Sequence, residues 1–157
     1  MKWLDKLKNW GLKELKLNLR FAQLEFTYDE NDSIAAWEMY VELITRITTQ
    51  SLPIEHGDER AALNSVYSLF DSTRDVLKRH GRSGQSFSKL AIIILNQVVR
   101  PFTAKWHKLL DYGFEDSDVC ESFRKELAAL QSVLSNYAVA LADIAGVEDI
   151  THIEQSQ

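Results

Sequence analysis

Hydrophobic and polar positions recur along this chain with two different periods. The opening KWLDKLKNWGLKELK sets Trp3, Leu7 and Trp10 at spacings of four and three, with Leu4 beside them. That spacing predicts a short amphipathic helix ending near Gly11. The next stretch, ELKLNLRFAQLEFTY, alternates: Leu15, Leu17, Leu19 and Phe21 share one face, and after a one-residue slip Leu24, Phe26 and Tyr28 continue. A strand with a bulge, or a hairpin bent near residues 22–23, accounts for the slip. A helix is the rival, because Leu17, Phe21, Leu24 and Tyr28 also fit its period.

Beyond residue 28 the period is helical. DENDS supplies capping side chains for a helix over roughly 33–50, with Trp37, Val41, Ile44 and Thr48 on the inward face, flanked by Tyr40 and Ile47. Glu42 and Arg46 face outward as a favourable i, i+4 pair. A second helix over 58–80 carries the stripe Ala62, Val66, Leu69, Phe70, Thr73, Val76 and Leu77, and Gly81 fits a left-handed cap after it. A third runs over 86–110; residues 90–95 are apolar on every side, which predicts a path through the middle of the core. The fourth, from Asp116 or Ser117 to Gly146, has the stripe Val119, Phe123, Leu127, Leu130, Leu134, Tyr137, Leu141 and Ile144.

Pro101 interrupts the third helix. Proline has no N–H and disfavours α geometry just before it, which frees the Gln97 carbonyl and bends the axis near Val99 and Arg100. Leu95, Val98, Val99, Phe102, Trp106 and Leu109 nevertheless share one face across it, which predicts a bent helix rather than two. Short loops near 51–57, 81–85 and 111–117 make successive helices antiparallel. The expected fold is mainly α, an up-down four-helix bundle over 29–147. It is preceded by an arm over 1–28, an amphipathic helix plus a short β-hairpin or extended segment, and followed by a flexible tail over 148–157.

Composition agrees with that picture. The 157 residues are 45% apolar and 26% charged, with 6 Gly and 2 Pro, too few breakers for the turns of an all-β fold. One cysteine, Cys120, excludes an intrachain disulfide, and no signal-peptide pattern follows the first lysines, so a cytoplasmic location is expected. Net charge is −5 and unevenly spread. Residues 1–20 hold Lys2, Lys6, Lys8, Lys13, Lys16 and Arg20 against Asp5 and Glu14, whereas the remainder holds 12 bases against 21 acids. A domain so acidic repels polyanions, which argues against nucleic-acid binding by the whole domain.

Candidate chemistry is sparse. His56, His80, His107 and His152 form no i, i+4 pair, Glu38 and Glu42 lack the ExxH of a di-iron bundle, and no phosphate loop occurs. No catalytic residue, metal site or cofactor is assigned, and the chain reads as a non-enzyme. Cys120, near a helix start, reads as an inert thiol. The basic run over 78–86 reads as a helix end complementing its dipole. Asn96, Arg100, Thr103 and His107, spaced 4, 3 and 4, stack into a polar stripe whose donors suit a carboxylate or phosphate.

Three functional expectations follow. The first is an interaction subunit or adaptor of a larger intracellular assembly. It binds a protein partner or another copy of itself through Trp3, Leu7, Trp10, Leu17, Leu19 and Phe21. The second is a sensor of an anionic ligand or nucleotide using Asn96, Arg100, Thr103 and His107. The third is peripheral membrane attachment through the basic, Trp-bearing first helix, which at about three turns offers little apolar area for anchoring.

Overall fold

The computed structural model describes residues 28–53, 58–110 and 117–151, and these form a mainly helical molecule with no strand among them. The helices are α1 (Glu30–Ile44), α2 (Glu59–Tyr67), α3 (Leu69–His80), α4 (Gln85–Ile94), a π-helical turn (Leu95–Val99), α5 (Arg100–Leu110) and α6 (Ser117–Ala145). α2 and α3 are separated only by Ser68, and α4, the π turn and α5 run on without interruption, so the elements make four rods. The expected arm, with Trp3, Leu7, Trp10, Leu17, Leu19 and Phe21, lies outside the described residues, as does the choice between strand and helix for residues 14–27.

α1 is the organising element. It packs most extensively on α6, then on α3 and α4. Its buried residues, Asp32, Ala35, Ala36, Met39, Tyr40, Leu43 and Ile44, recur at steps of three and four. This corrects the inward face read from the sequence: Ile44 and Thr48 are buried, but Trp37 is 48% and Val41 38% exposed. Met39, Tyr40 and Leu43 with small Ala35 and Ala36 form the buried face of α1, and the indole is left outside. The helix also stops earlier than expected. Thr48 donates its hydroxyl to the Leu43 carbonyl (2.6 Å), taking up the acceptor that the Ile47 amide would use in a further turn, while the Val41 carbonyl accepts both the amide and the hydroxyl (2.7 Å) of Thr45. Gln131 of α6 then donates to the carbonyls of Ile47 (2.7 Å) and Gln50 (2.5 Å), and Arg124 to those of Leu52 and Pro53. Side chains of α6 thus satisfy the carbonyls of the loop that leaves α1.

At the start of α1, Asp29 and Asp32 form a reciprocal capping box, each carboxylate accepting the other's amide at 2.9–3.0 Å. Asp32 is 2% exposed, and its second oxygen accepts the Phe87 amide (2.8 Å) in the first turn of α4. One carboxylate therefore caps two helices. α4 brings no capping side chain of its own, because Gly84 occupies that position. A Cβ on Gly84 would lie 3.2 Å from the Asn31 carbonyl oxygen, so the glycine is what lets α1 approach closely enough for Asp32 to reach.

Gly81 does not adopt the left-handed cap expected of it; its φ is −65°. A Cβ there would come within 2.5 Å of the Leu77 carbonyl oxygen and 2.8 Å of the Ser88 Oγ, so close packing explains it. The left-handed position belongs to Gly146 (φ 70°) after α6. The amides of Gly146 and Val147 return to the carbonyls of Asp143 and Ala142, the two bonds of a Schellman motif. The chain then crosses to α1. Tyr40 donates its hydroxyl to Asp149 (3.0 Å) and accepts the Ile150 amide (2.8 Å), and Thr151 is 2% exposed.

In the third rod, buried side chains recur at steps of four: Leu90, Ile94, Val98, Phe102 and Trp106. An unbroken α-helix, at about 100° per residue, would carry that stripe round by roughly 160° from first to last. The π turn takes out part of this drift, with the Arg100 amide bonded five residues back to the Leu95 carbonyl. Pro101 follows at once, at the place where its missing N–H is compatible with the altered ladder. Leu109 falls off the buried face at 40% exposure, and Ile92 is 41% exposed, so residues 90–95 do not run wholly inside the core.

Candidate interaction surfaces

Four residues of the sequence stripe end in different surroundings. Thr103 is 3% exposed and donates to the carbonyls of Val99 and Arg100, both 3.2 Å away, so its hydroxyl is used within the helix. Arg100 is exposed; its Nε and Nη2 reach the Asn96 Oδ1 at 3.2 and 3.1 Å. His107 meets the ring of Tyr67 edge-on at 4.9 Å. Asn96, Arg100 and His107 thus line one surface, with Thr103 beneath it.

That surface is completed from the second rod. Tyr67, Phe70 and Arg74 are spaced three and four apart, which aligns them on one ridge across the break at Ser68. Phe70 is buried, and its ring has Tyr67 at 5.3 Å, the Arg100 guanidinium at 4.7 Å and the Arg74 guanidinium at 5.7 Å. Tyr67 is 51% exposed. α2 packs on α5 and α3 on the π turn, so the two irregular points of the fold face each other across this seam. Arg46 holds the break from the far side: it pairs with Glu42 and donates to the Ser68 Oγ (2.9 Å) and Ser72 Oγ (2.7 Å). Sequence reading placed Phe70 inward but missed Tyr67 and Arg74 as its surface companions. The signal was their helical spacing on either side of an aromatic residue.

A second surface lies on α1, where Ile34, Trp37 and Val41 are 43%, 48% and 38% exposed at helical spacing. Glu30, Glu38 and Glu42 border them on the same helix. Glu38 is engaged across the molecule by Arg79 (2.8 Å) and His80 (2.9 Å) at the end of α3. Burial by itself would raise the Glu38 carboxyl; the hydrogen bonds and charge of Arg79 and His80 together outweigh it and hold the group below its ordinary range. The expected dipole complement at residues 78–80 therefore also serves as an ion-pair contact between α3 and α1.

The third surface is an open groove of about 280 Å³ lined by Lys105, Trp106, Leu109, Asp118, Val119 and Ser122. Trp106 is 2% exposed, packs edge-on against Phe123 (5.1 Å) and donates its indole N–H to Glu126 (2.8 Å), while Lys105 pairs with the same carboxylate. These contacts make Trp106 a packing residue joining α5 to α6. Cys120 is half-buried in the first turn of α6. Among the described residues no group of three His, Cys, Asp or Glu side chains is arranged to hold a metal. α6 is long and apolar enough to cross a membrane, but half of its most apolar stretch is buried inside the molecule.

No protein-family model, no curated protein and no solved structure matches this chain, so its surfaces are read from their own chemistry.

Proposed function

We propose that this chain is a non-enzymatic interaction subunit of a cytoplasmic assembly. In this reading an up-down four-helix bundle presents residues 1–28 to a protein partner or to a second copy of the chain. The observation that carries the reading is the apolar stripe of Ile34, Trp37 and Val41 on the outer side of α1, the helix that begins directly after that arm. Aromatic and aliphatic side chains clustered on a surface are the usual centre of a protein contact. The arm brings Trp3, Leu7 and Trp10, whose apolar side chains complement the exposed stripe of α1.

The test is removal of residues 1–28, alongside Trp37→Ser in the full chain. The expected result is fewer chains per particle by light scattering, or loss of the partners recovered by affinity purification, with the helical circular dichroism retained. An unchanged number of chains per particle and unchanged partners in both proteins overturn the reading. Loss of liposome flotation on truncation, with protein contacts intact, would instead assign the arm to a membrane surface.

A further inference from the structure

We propose that the seam between α3 and the π turn binds a phosphate group carried by a small molecule, with Arg74 and Arg100 as its charged ligands and Tyr67 and His107 beside them. This site is independent of the arm and of the interaction-subunit reading.

The arrangement begins with how the chain's arginines are used. Arg46, Arg79 and Arg124 each pair with a carboxylate from another position, Glu42, Glu38 and Glu59. Arg100 has a neutral partner, Asn96, and no ion pair among the described residues. Its orientation is nonetheless fixed: the Asn96 oxygen holds two of its nitrogens while its guanidinium lies near the Phe70 ring. Arg74 approaches the same ring, so the two guanidinium carbons are at most about 10 Å apart. Arg74 does have a partner, Asp71 at 3.2 Å, but the side chains are 51% and 88% exposed. An ion pair so open to water contributes little and yields readily to a doubly charged competitor.

With Arg100 Nε and Nη2 turned to Asn96 and Arg74 Nη1 to Asp71, the remaining guanidinium N–H groups of the two arginines still outnumber what a carboxylate's two oxygens need. The Tyr67 hydroxyl and His107 ring stand beside them. A phosphate monoester presents three terminal oxygens and nearly two charges, which matches that supply. Phe70 beneath is buried, and its ring gives both guanidinium groups a face to rest on, which orients them without removing them from water. The site is a cationic spot on a chain of net charge −5, so specificity comes from this geometry and not from overall attraction.

The experiment is isothermal titration of the full chain at low salt with pyrophosphate, inorganic phosphate, AMP and acetate. We expect one saturable pyrophosphate site per chain. Arg100→Gln and Arg74→Gln should each weaken it by about tenfold or more, a loss of about 1.4 kcal/mol. Arg100→Lys, which keeps the charge but loses the fork, should fall between, and Lys125→Gln on the exposed side of α6 should stay within about twofold. Circular dichroism checks that each variant is folded. AMP binding more tightly than inorganic phosphate identifies a nucleotide-like source, and equal binding identifies free phosphate. Three results overturn the proposal: no saturable site, acetate binding as well as phosphate, or equal weakening by Lys125→Gln.

Discussion

The junction where the first turns of α1 and α4 meet and the seam where the flank of α3 meets the π turn treat polar groups in opposite ways. At the junction the capping carboxylates are consumed. Asp29 and Asp32 cap each other, Asp32 also caps α4, and Ser33 donates to the Ile144 carbonyl at the end of α6 (2.8 Å). At the seam two cations lie over one aromatic ring, and one of them has no carboxylate among the described residues. Helix ends bring obligatory backbone donors that must be answered. Helix flanks bring none, so side chains there remain free to answer something else.

The largest break in that contrast is Asp32→Ala. It strips the acceptor from the Asp29 amide and from the buried Phe87 amide at once. A lost cap plus an orphaned buried donor costs about 2–4 kcal/mol. Urea unfolding measures it as a lowered midpoint with an unchanged slope. A cost under about 1 kcal/mol would mean that α4 is capped some other way.

Gly84→Ala attacks the same junction through space instead of charge. Its Cβ would stand 3.2–3.3 Å from backbone atoms of Asn31 and Asp32, and backbone yields less readily than a side-chain tip. The expected loss is about 1–2 kcal/mol from local overpacking, even though alanine is the better residue elsewhere in helices. Thermal unfolding of the single and the Asp32→Ala/Gly84→Ala double variant should be non-additive, because both act on one contact.

The four helical rods were legible from periodicity, since Phe123, Leu127, Leu130, Leu134, Tyr137, Leu141 and Ile144 of α6 are buried as a single stripe. The inward face of α1 was not. Trp37 carries far more apolar area than Ala35 or Ala36, yet the small residues are the buried ones and the indole stays outside. The capping side chains before α1 were visible as DENDS, whereas the second use of Asp32 depends on Gly84, which is 52 positions away. Half of the seam was legible as well. Asn96, Arg100 and His107 share a helix face that spacing exposes, but Tyr67 and Arg74 arrive from another rod, and their spacing along it does not show which helix they meet.

Glu38 supplies a control region in which cations are fully engaged. Arg79 and His80 both bond its carboxylate, whose pKa is held below the ordinary range. A carboxyl with a depressed folded pKa stabilises the protein at neutral pH, and that stabilisation disappears as pH falls through the folded value. Wild type should therefore exceed Glu38→Gln in stability near pH 7, and the gap should close on acidification below about pH 4.3, where the unfolded carboxyl takes up its proton. Denaturant midpoints of both proteins between about pH 7 and 3 provide the check. A constant gap would show that Glu38 acts through packing and not through its charge.

The smallest effect is expected from Arg100→Gln, and its smallness is informative. The guanidinium has one hydrogen-bonding partner, Asn96 in the preceding turn, and one aromatic neighbour, Phe70. Exposed contacts of these kinds are worth less than about 1 kcal/mol together, and glutamine retains a donor for Asn96. Unfolding should consequently be nearly that of wild type. Arg124→Gln makes the internal comparison, because that side chain bonds Glu59 and two loop carbonyls, and its loss must weaken the fold more. If Arg100→Gln proved the more damaging of the two, Arg100 would be a structural strut between α3 and the π turn. A cation whose removal leaves stability intact is held in position without being needed for the fold, and that is the condition a binding residue must meet.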